Sequence, residues 1–175
     1  MLMKSIFLSI VTVMALLHSA QAEDVTVKLS NVHLCCGSCV KGANKAVAGI
    51  DGAKVNADKT TQIVEITGPD KATVQKAADA LVKAGFFGES SDPSIKMVAN
   101  TGAKGEKMQT LKIEGVHLCC PKCVKAVHQA LKTVPGVTAD TAQKNADSFT
   151  VTGDFNDTDV FAALQKAGLT GKEVQ

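Results

Sequence analysis

The sequence predicts an α+β protein: two tandem units, each running β-α-β-β-α-β, behind a removable leader. Three observations predict it. Residues 32–41, VHLCCGSCVK, return at 116–125 as VHLCCPKCVK with eight of ten positions identical. Within each copy the hydrophobic pattern switches between strict alternation and steps of three and four residues. Glycine or proline falls where each pattern stops.

The repeat extends well past the motif, as a duplicated structural unit requires. Val27 and Leu29 align with Leu111 and Ile113, and Val47 and Ile50 with Leu131 and Val134, all at an offset of 84. Val64, Ile66 and Gly68 align with Phe149, Val151 and Gly153 at an offset of 85, and Ala84-Gly85-Phe86 corresponds to Ala167-Gly168-Leu169.

The elements follow in order. Val25, Val27 and Leu29 alternate with polar residues, which marks a half-buried strand. After the cysteines, Val40, Ala43, Val47 and Ile50 recur at helical steps, as do Val124, Val127, Leu131 and Val134. Ile50-Asp51-Gly52 and Val134-Pro135-Gly136 stop these helices. Two strands near 53–58 and 61–67, joined at Asp58-Lys59, read as a hairpin. Asp70 starts a second helix whose apolar face holds Val74, Ala77, Ala78 and Leu81, and Gly85 ends it. A last strand is placed near Ile95 to Ala99 in copy one and Gly171 to Val174 in copy two. This order is the split βαβ, ferredoxin-like arrangement, with two helices on one face of a four-stranded antiparallel sheet. The predicted domains are 23–99 and 108–175. Between them, residues 100–107 (NTGAKGEK) are glycine-rich and polar and read as a flexible linker.

Residues 1–22 are set apart from the fold. Lys4 gives a positive start, Ile6 to Leu17 an apolar stretch, and Ala20-Gln21-Ala22 a small-x-small pattern. That is the layout of a secretory signal peptide cut before Glu23. The apolar stretch falls short of the ~20 residues a spanning helix needs. The expected location is periplasmic or secreted, with no membrane insertion after cleavage.

Composition excludes some functions. All 19 basic residues are lysine, set against 17 carboxylates, and tyrosine and tryptophan are absent. A near-neutral chain with so few stacking side chains is a poor nucleic-acid binder.

The six cysteines fall into two tight groups: Cys35, Cys36, Cys39 and Cys119, Cys120, Cys123. A disulfide framework scatters its cysteines; local clusters mark a site. Cys36 and Cys39 form a C-x-x-C where the first strand passes into the first helix, and Cys120 and Cys123 repeat it. At that spacing two sulfurs converge, as in many thiolate metal sites. The helix N-terminus favours the thiolate, the form that binds metal.

These residues resemble a tandem pair of heavy-metal-associated domains, a family found in copper chaperones, in copper-ATPase N-terminal segments and in the periplasmic mercuric-ion binding protein. The family's G-M-x-C-x-x-C pattern is met by Cys36-x-x-Cys39 and Cys120-x-x-Cys123. Its helix-ending turn is met by Gly-Ile-Asp-Gly-Ala at 49–53 and Val-Pro-Gly-Val at 134–137. The resemblance implies a ferredoxin-like fold and soft-metal binding at the two pairs, with Cu(I) first and Hg(II) beside it. The chain departs from the pattern: Leu34 and Leu118 stand in place of methionine, and an extra cysteine, Cys35 or Cys119, precedes each pair. His33 and His117 lie two residues before those. As added ligands the four would build a three- or four-coordinate site suited to Zn(II), Cd(II) or higher-coordinate Cu(I). As structural residues, the cysteines are small buried hydrophobes and the histidines loop anchors. The resemblance also implies that Phe86 approaches the metal loop and shields the site; the other reading of Phe86 is core packing alone.

Three functions follow. The first is a non-enzymatic carrier, chaperone or scavenger of metal ions, exchanging cargo with a membrane metal transporter or another metal-binding domain. The second is thiol-disulfide exchange, which also uses C-x-x-C at a helix N-terminus. The third is a partner-binding module with structural cysteines.

Overall fold

A computed structural model describes residues 23–174. The expected leader, residues 1–22, lies outside them.

In the first unit β1 (Val25–Ser30) leads to α1 (Gly37–Val47), the hairpin β2 (Lys54–Asp58) and β3 (Ile63–Gly68), α2 (Lys71–Lys83), and β4 (Glu89–Ser90). The second unit repeats this as β5 (Lys107–Glu114), α3 (Pro121–Leu131), β6 (Val137–Asp140), β7 (Ser148–Asn156), α4 (Asp157–Lys166) and β8 (Lys172–Glu173). The sheets run β2-β3-β1-β4 and β6-β7-β5-β8, antiparallel throughout. The first strand of each unit therefore sits inside its sheet, opposite a strand from the hairpin. Val27 pairs with Ile66 and Leu111 with Val151, so their inward faces form the core.

Local chemistry sets the boundaries. The Asp70 carboxylate accepts from the Thr73 N–H and caps α2, and Asn156 caps α4 through Thr158. Asp58 accepts from the Thr60 N–H and the Thr61 hydroxyl, which closes the β2–β3 turn.

Two expectations shift. The last strand of the first unit is not at Ile95 to Ala99. It is the two-residue β4, held to β1 through Leu29 and Ser30, and Ser91 N–H continues the pairing onto the Lys28 carbonyl. Ile95 is buried instead as a core plug. The buried stripe of α1 also starts earlier than the Val40-based pattern. It runs Cys39, Ala43, Val47, a strict four-residue step, and Val40 is half-buried beside it. In α3 the stripe likewise begins at Cys123. The second cysteine of each pair thus belongs to the core face of its helix.

The stretch from Lys104 to Glu106 is pinned. Asp157, 2% exposed, accepts from the backbone N–H of Lys104, Gly105 and Glu106. No helix among the described residues is long and apolar enough to cross a membrane.

Candidate metal centre

Each cysteine group sits at the corner between a first strand and a first helix. Cys36 is the N-cap of α1 and Cys120 that of α3, both with extended backbone. Cys39 and Cys123 follow in the first helical turn and are fully buried. Cys35, Cys36, Cys119 and Cys120 are half-buried. Leu34 and Leu118 are buried under the loops.

The two corners face each other because the units dock through backbone as well as side chains. Phe86 and Leu169 form an isolated antiparallel bridge between the units. The Phe87 and His33 N–H groups both donate to the Gly168 carbonyl at 3.1 Å, and the Thr170 N–H donates to the Gly85 carbonyl at 3.0 Å. Gly85 (φ +85°) and Gly168 (φ +77°) end α2 and α4 in the left-handed region. A Cβ on Gly85 would lie 2.5 Å from the His117 nitrogen, and one on Gly168 2.5 Å from the His33 nitrogen. Each helix end therefore presses on the metal loop of the opposite unit, and only glycine permits the approach.

This docking gathers all six sulfurs. Within the first unit Cys36 and Cys39 are 3.7 Å apart (Sγ–Sγ) and Cys35 and Cys39 3.6 Å. Within the second, Cys120 and Cys123 are 3.6 Å apart and Cys119 and Cys123 3.7 Å. Between units, Cys35 lies 3.3 Å from Cys120 and 3.5 Å from Cys123. Cys119 lies 3.8 Å from Cys36 and 3.5 Å from Cys39, and Cys39 is 3.7 Å from Cys123. The sequence places one triplet in each domain; the structure makes them one constellation of free thiols at the junction. The sign available in the sequence was the matched Gly85-Phe86 and Gly168-Leu169 pair, which the helix-end reading used only as a stop.

Proton affinities inside the cluster diverge. The hydrogen bond from Cys123 outweighs burial and holds the Cys39 thiol far below the usual range, and the same contact drives Cys123 up. Burial, and then neighbouring sulfurs, push Cys35 and Cys119 up. Burial also raises Cys120, but the Cys123 backbone N–H and the Cys35 thiol stabilise its thiolate more and bring it down to about 7. Cys39 and then Cys120 are thus the favoured thiolates, while burial and neighbouring sulfurs resist ionisation of Cys35, Cys119 and Cys123 unless a cation offsets the charge.

The two histidines meet the cluster from opposite units. The Nε2 atoms of His33 and His117 are buried without a hydrogen-bond partner. His33 offers a nitrogen within 4.8 Å of the Cys35 and Cys123 sulfurs. Burial first of all lowers its basicity and favours neutral imidazole. His117 stacks on Phe86 with ring centroids 4.4 Å apart, and its Cε1 would lie 2.7 Å from a Cβ at Gly42. Phe86 is itself fully buried, in the core and against the His117 ring. His128 stands apart, with its Nδ1 2.8 Å from Asp140. Met97 and Met108 are half-buried against the core.

Comparison with known proteins agrees with this chemistry. Residues 110–172 match the family model described as Heavy-metal-associated domain, and the first unit repeats the topology and the cysteine pair of that stretch. The chain is 30% identical over 135 residues to Copper-transporting ATPase 2 of Rhizobium meliloti, a match that covers 75% of this chain and 14% of that protein. Among solved structures it is similar to oxidized MerP from Ralstonia metallidurans (29% identity, TM-score 0.35, 39% of this chain and 99% of that one). It is also similar to the N-terminal domain of PacS from Synechocystis (19%, TM-score 0.35, 39% and 100%). A match of greater extent is to the N-terminal soluble domains of Bacillus subtilis CopA (17%, TM-score 0.31, 87% and 95%).

Proposed function

We propose that this chain is an exported binder of soft metal cations, with Cu(I) as its principal cargo, that acts as a carrier, chaperone or scavenger. The observation that carries this reading is the convergence of six free thiols, each within 3.8 Å of at least two others, at two helix N-termini. Soft thiolates select Cu(I) and its neighbours over hard cations. The heavy-metal-associated match at 110–172 and the similarity to a copper-transporting ATPase support copper over Zn(II), Cd(II) or Hg(II).

Cargo would enter and leave by ligand exchange. Cys36 and Cys120 are half-buried at the rim, while Cys39 and Cys123 are enclosed. An incoming thiolate from a membrane metal transporter, or from another metal-binding domain, attacks the ion at a rim cysteine. The enclosed sulfur releases last. Nothing in this cycle changes oxidation state, so the protein is read as non-enzymatic. Thiol-disulfide exchange would need one privileged pair per active site, whereas here every sulfur has at least two neighbours at similar range.

The test is titration of the fully reduced protein with Cu(I) against a high-affinity chromophoric chelator. Stoichiometric retention of Cu(I) by the chain, abolished when all six cysteines are serine, is the expected result. Free transfer of all copper to the chelator overturns the reading. Export rests on residues 1–22 and is tested by N-terminal sequencing of the mature protein; a chain beginning at Met1 inside the cell would refute it.

A further inference from the structure

The third cysteine of each triplet has a partner in the opposite unit. Cys36, Cys39 and Cys119 form a nearly equilateral triangle of sulfurs with edges of 3.7, 3.5 and 3.8 Å. Cys120, Cys123 and Cys35 form a second, with edges of 3.6, 3.5 and 3.3 Å. The two triangles share no atom and together use all six thiols. We propose that the protein holds two three-coordinate soft-metal sites, each made from the C-x-x-C of one unit and closed by the extra cysteine of the other.

The dimensions support trigonal coordination. An equilateral triangle of edge near 3.6 Å places its centre about 2.1 Å from each corner, close to a metal–thiolate bond of about 2.3 Å. A linear two-coordinate ion needs its sulfurs about 4.6 Å apart at that bond length. The pairs here are an ångström closer. The local alternative, Cys119 with Cys120 and Cys123, has comparable edges of 3.7 and 3.6 Å to Cys123, but it asks two adjacent residues to grip one ion.

The arrangement makes docking part of the binding chemistry. Cys119 reaches the first site only while the α2 end at Gly85 rests on the loop at His117, and Cys35 reaches the second only while Gly168 rests on the loop at His33. Opening the junction removes one ligand from each ion and leaves it on a two-sulfur site, the state most open to exchange. The proposal rests on the soft-metal reading above.

The test separates the two. In a chain carrying Cys36→Ser and Cys39→Ser, only the pair Cys120 and Cys123 remains. Adding Cys35→Ser is expected to weaken Cu(I) retention against the chelator by more than the roughly 10- to 100-fold that loss of an outer-shell partner costs. Adding Cys119→Ser instead is expected to leave retention within about twofold, since that residue serves the abolished site. The mirror set, Cys120→Ser and Cys123→Ser with Cys119→Ser or Cys35→Ser added, should give the opposite order, and circular dichroism verifies the fold of every variant. X-ray absorption on the copper-loaded native chain should report three sulfurs per ion. Greater loss from the local cysteine, equal loss from both, loss from neither, or two sulfurs per ion overturns the cross-unit sites. If the native chain itself yields its copper to the chelator, the soft-metal reading fails instead.

Discussion

A single sulfur position shows how core and site are merged. Cys39 has no solvent exposure and continues the stripe of Ala43 and Val47, yet it also lies within hydrogen-bonding range of sulfurs from both units. Replacing it by serine keeps the volume roughly constant but buries a hydroxyl among poor partners. Cys39→Ser is expected to lower stability by about 1–2 kcal/mol in urea unfolding and to lose Cu(I) retention as well. A variant that loses metal at unchanged stability would show the residue to be a ligand without a packing role. Asp157 is the other residue whose loss should be felt far from the centre. Its carboxylate holds three consecutive backbone N–H groups and is almost fully enclosed. Asp157→Ala is expected to cost about 3 kcal/mol in the same measurement, because three charge-assisted bonds are lost and the amides are left unpaired.

At the scale of elements, the helix ends carry the docking. Gly85→Ala and Gly168→Ala each combine a left-handed backbone with a Cβ driven against a facing loop. The strain alone costs about 1–2 kcal/mol, and the clash adds to it. Each substitution should therefore separate the corners, seen as faster hydrogen exchange at His33, Phe87 and Thr170. Unchanged protection would mean that the glycines serve helix termination only. A milder pH effect belongs to α2. The ammonium of Lys71 sits 2.9 Å from Asp92, and that contact, with the Ser94 N–H and hydroxyl, holds the Asp92 carboxyl at about 2, below its ordinary value of 3.8. Since the folded value is the lower one, this contribution is present above about pH 4 and is lost as pH falls toward 2. Lys71 is exposed and Asp92 is partly so, and solvent screening keeps the effect small. Lys71→Met should flatten the stability profile across that window, lowering stability slightly at neutral pH and leaving it unchanged below about pH 2.

Periodicity made most elements legible before any coordinates. β1, β3, α2 and the hairpin were readable because a half-buried strand or helix must alternate or step in register with its buried face. β4 was not, since two residues carry no period and its place is set by the edge of β1. The start of the helical stripe at Cys39 was obscured because the cysteines read as ligands, which left Val40 as the first apolar position. The cysteines themselves were identifiable from spacing. Their union across the junction was not, because it depends on backbone contacts of Gly85 and Gly168 that leave no hydrophobic pattern.

As a whole molecule the chain has one continuous core: buried residues of both units belong to the same apolar cluster, and the junction adds backbone hydrogen bonds to it. Unfolding is therefore expected as a single transition in calorimetry, and two resolved transitions would show that the units fold independently. Cargo that binds only the docked form must stabilise it by mass action, by about 2.7 kcal/mol at a hundred times Kd. Cu(I) should raise the transition temperature of the native chain and leave a six-serine chain unmoved.

The two halves of the junction are not perfect copies. Position 42 is glycine, and the imidazole of His117 occupies the room a side chain would take, lying on the ring of Phe86. The matching positions in the second unit are Ala126 and Leu169, which offer His33 neither that hollow nor an aromatic face. The two copies thus differ in what packs beside the cysteine loops, although the loops themselves are nearly identical. An ion arriving at the empty protein meets two unequal berths, and loading would proceed in a preferred sequence instead of at random.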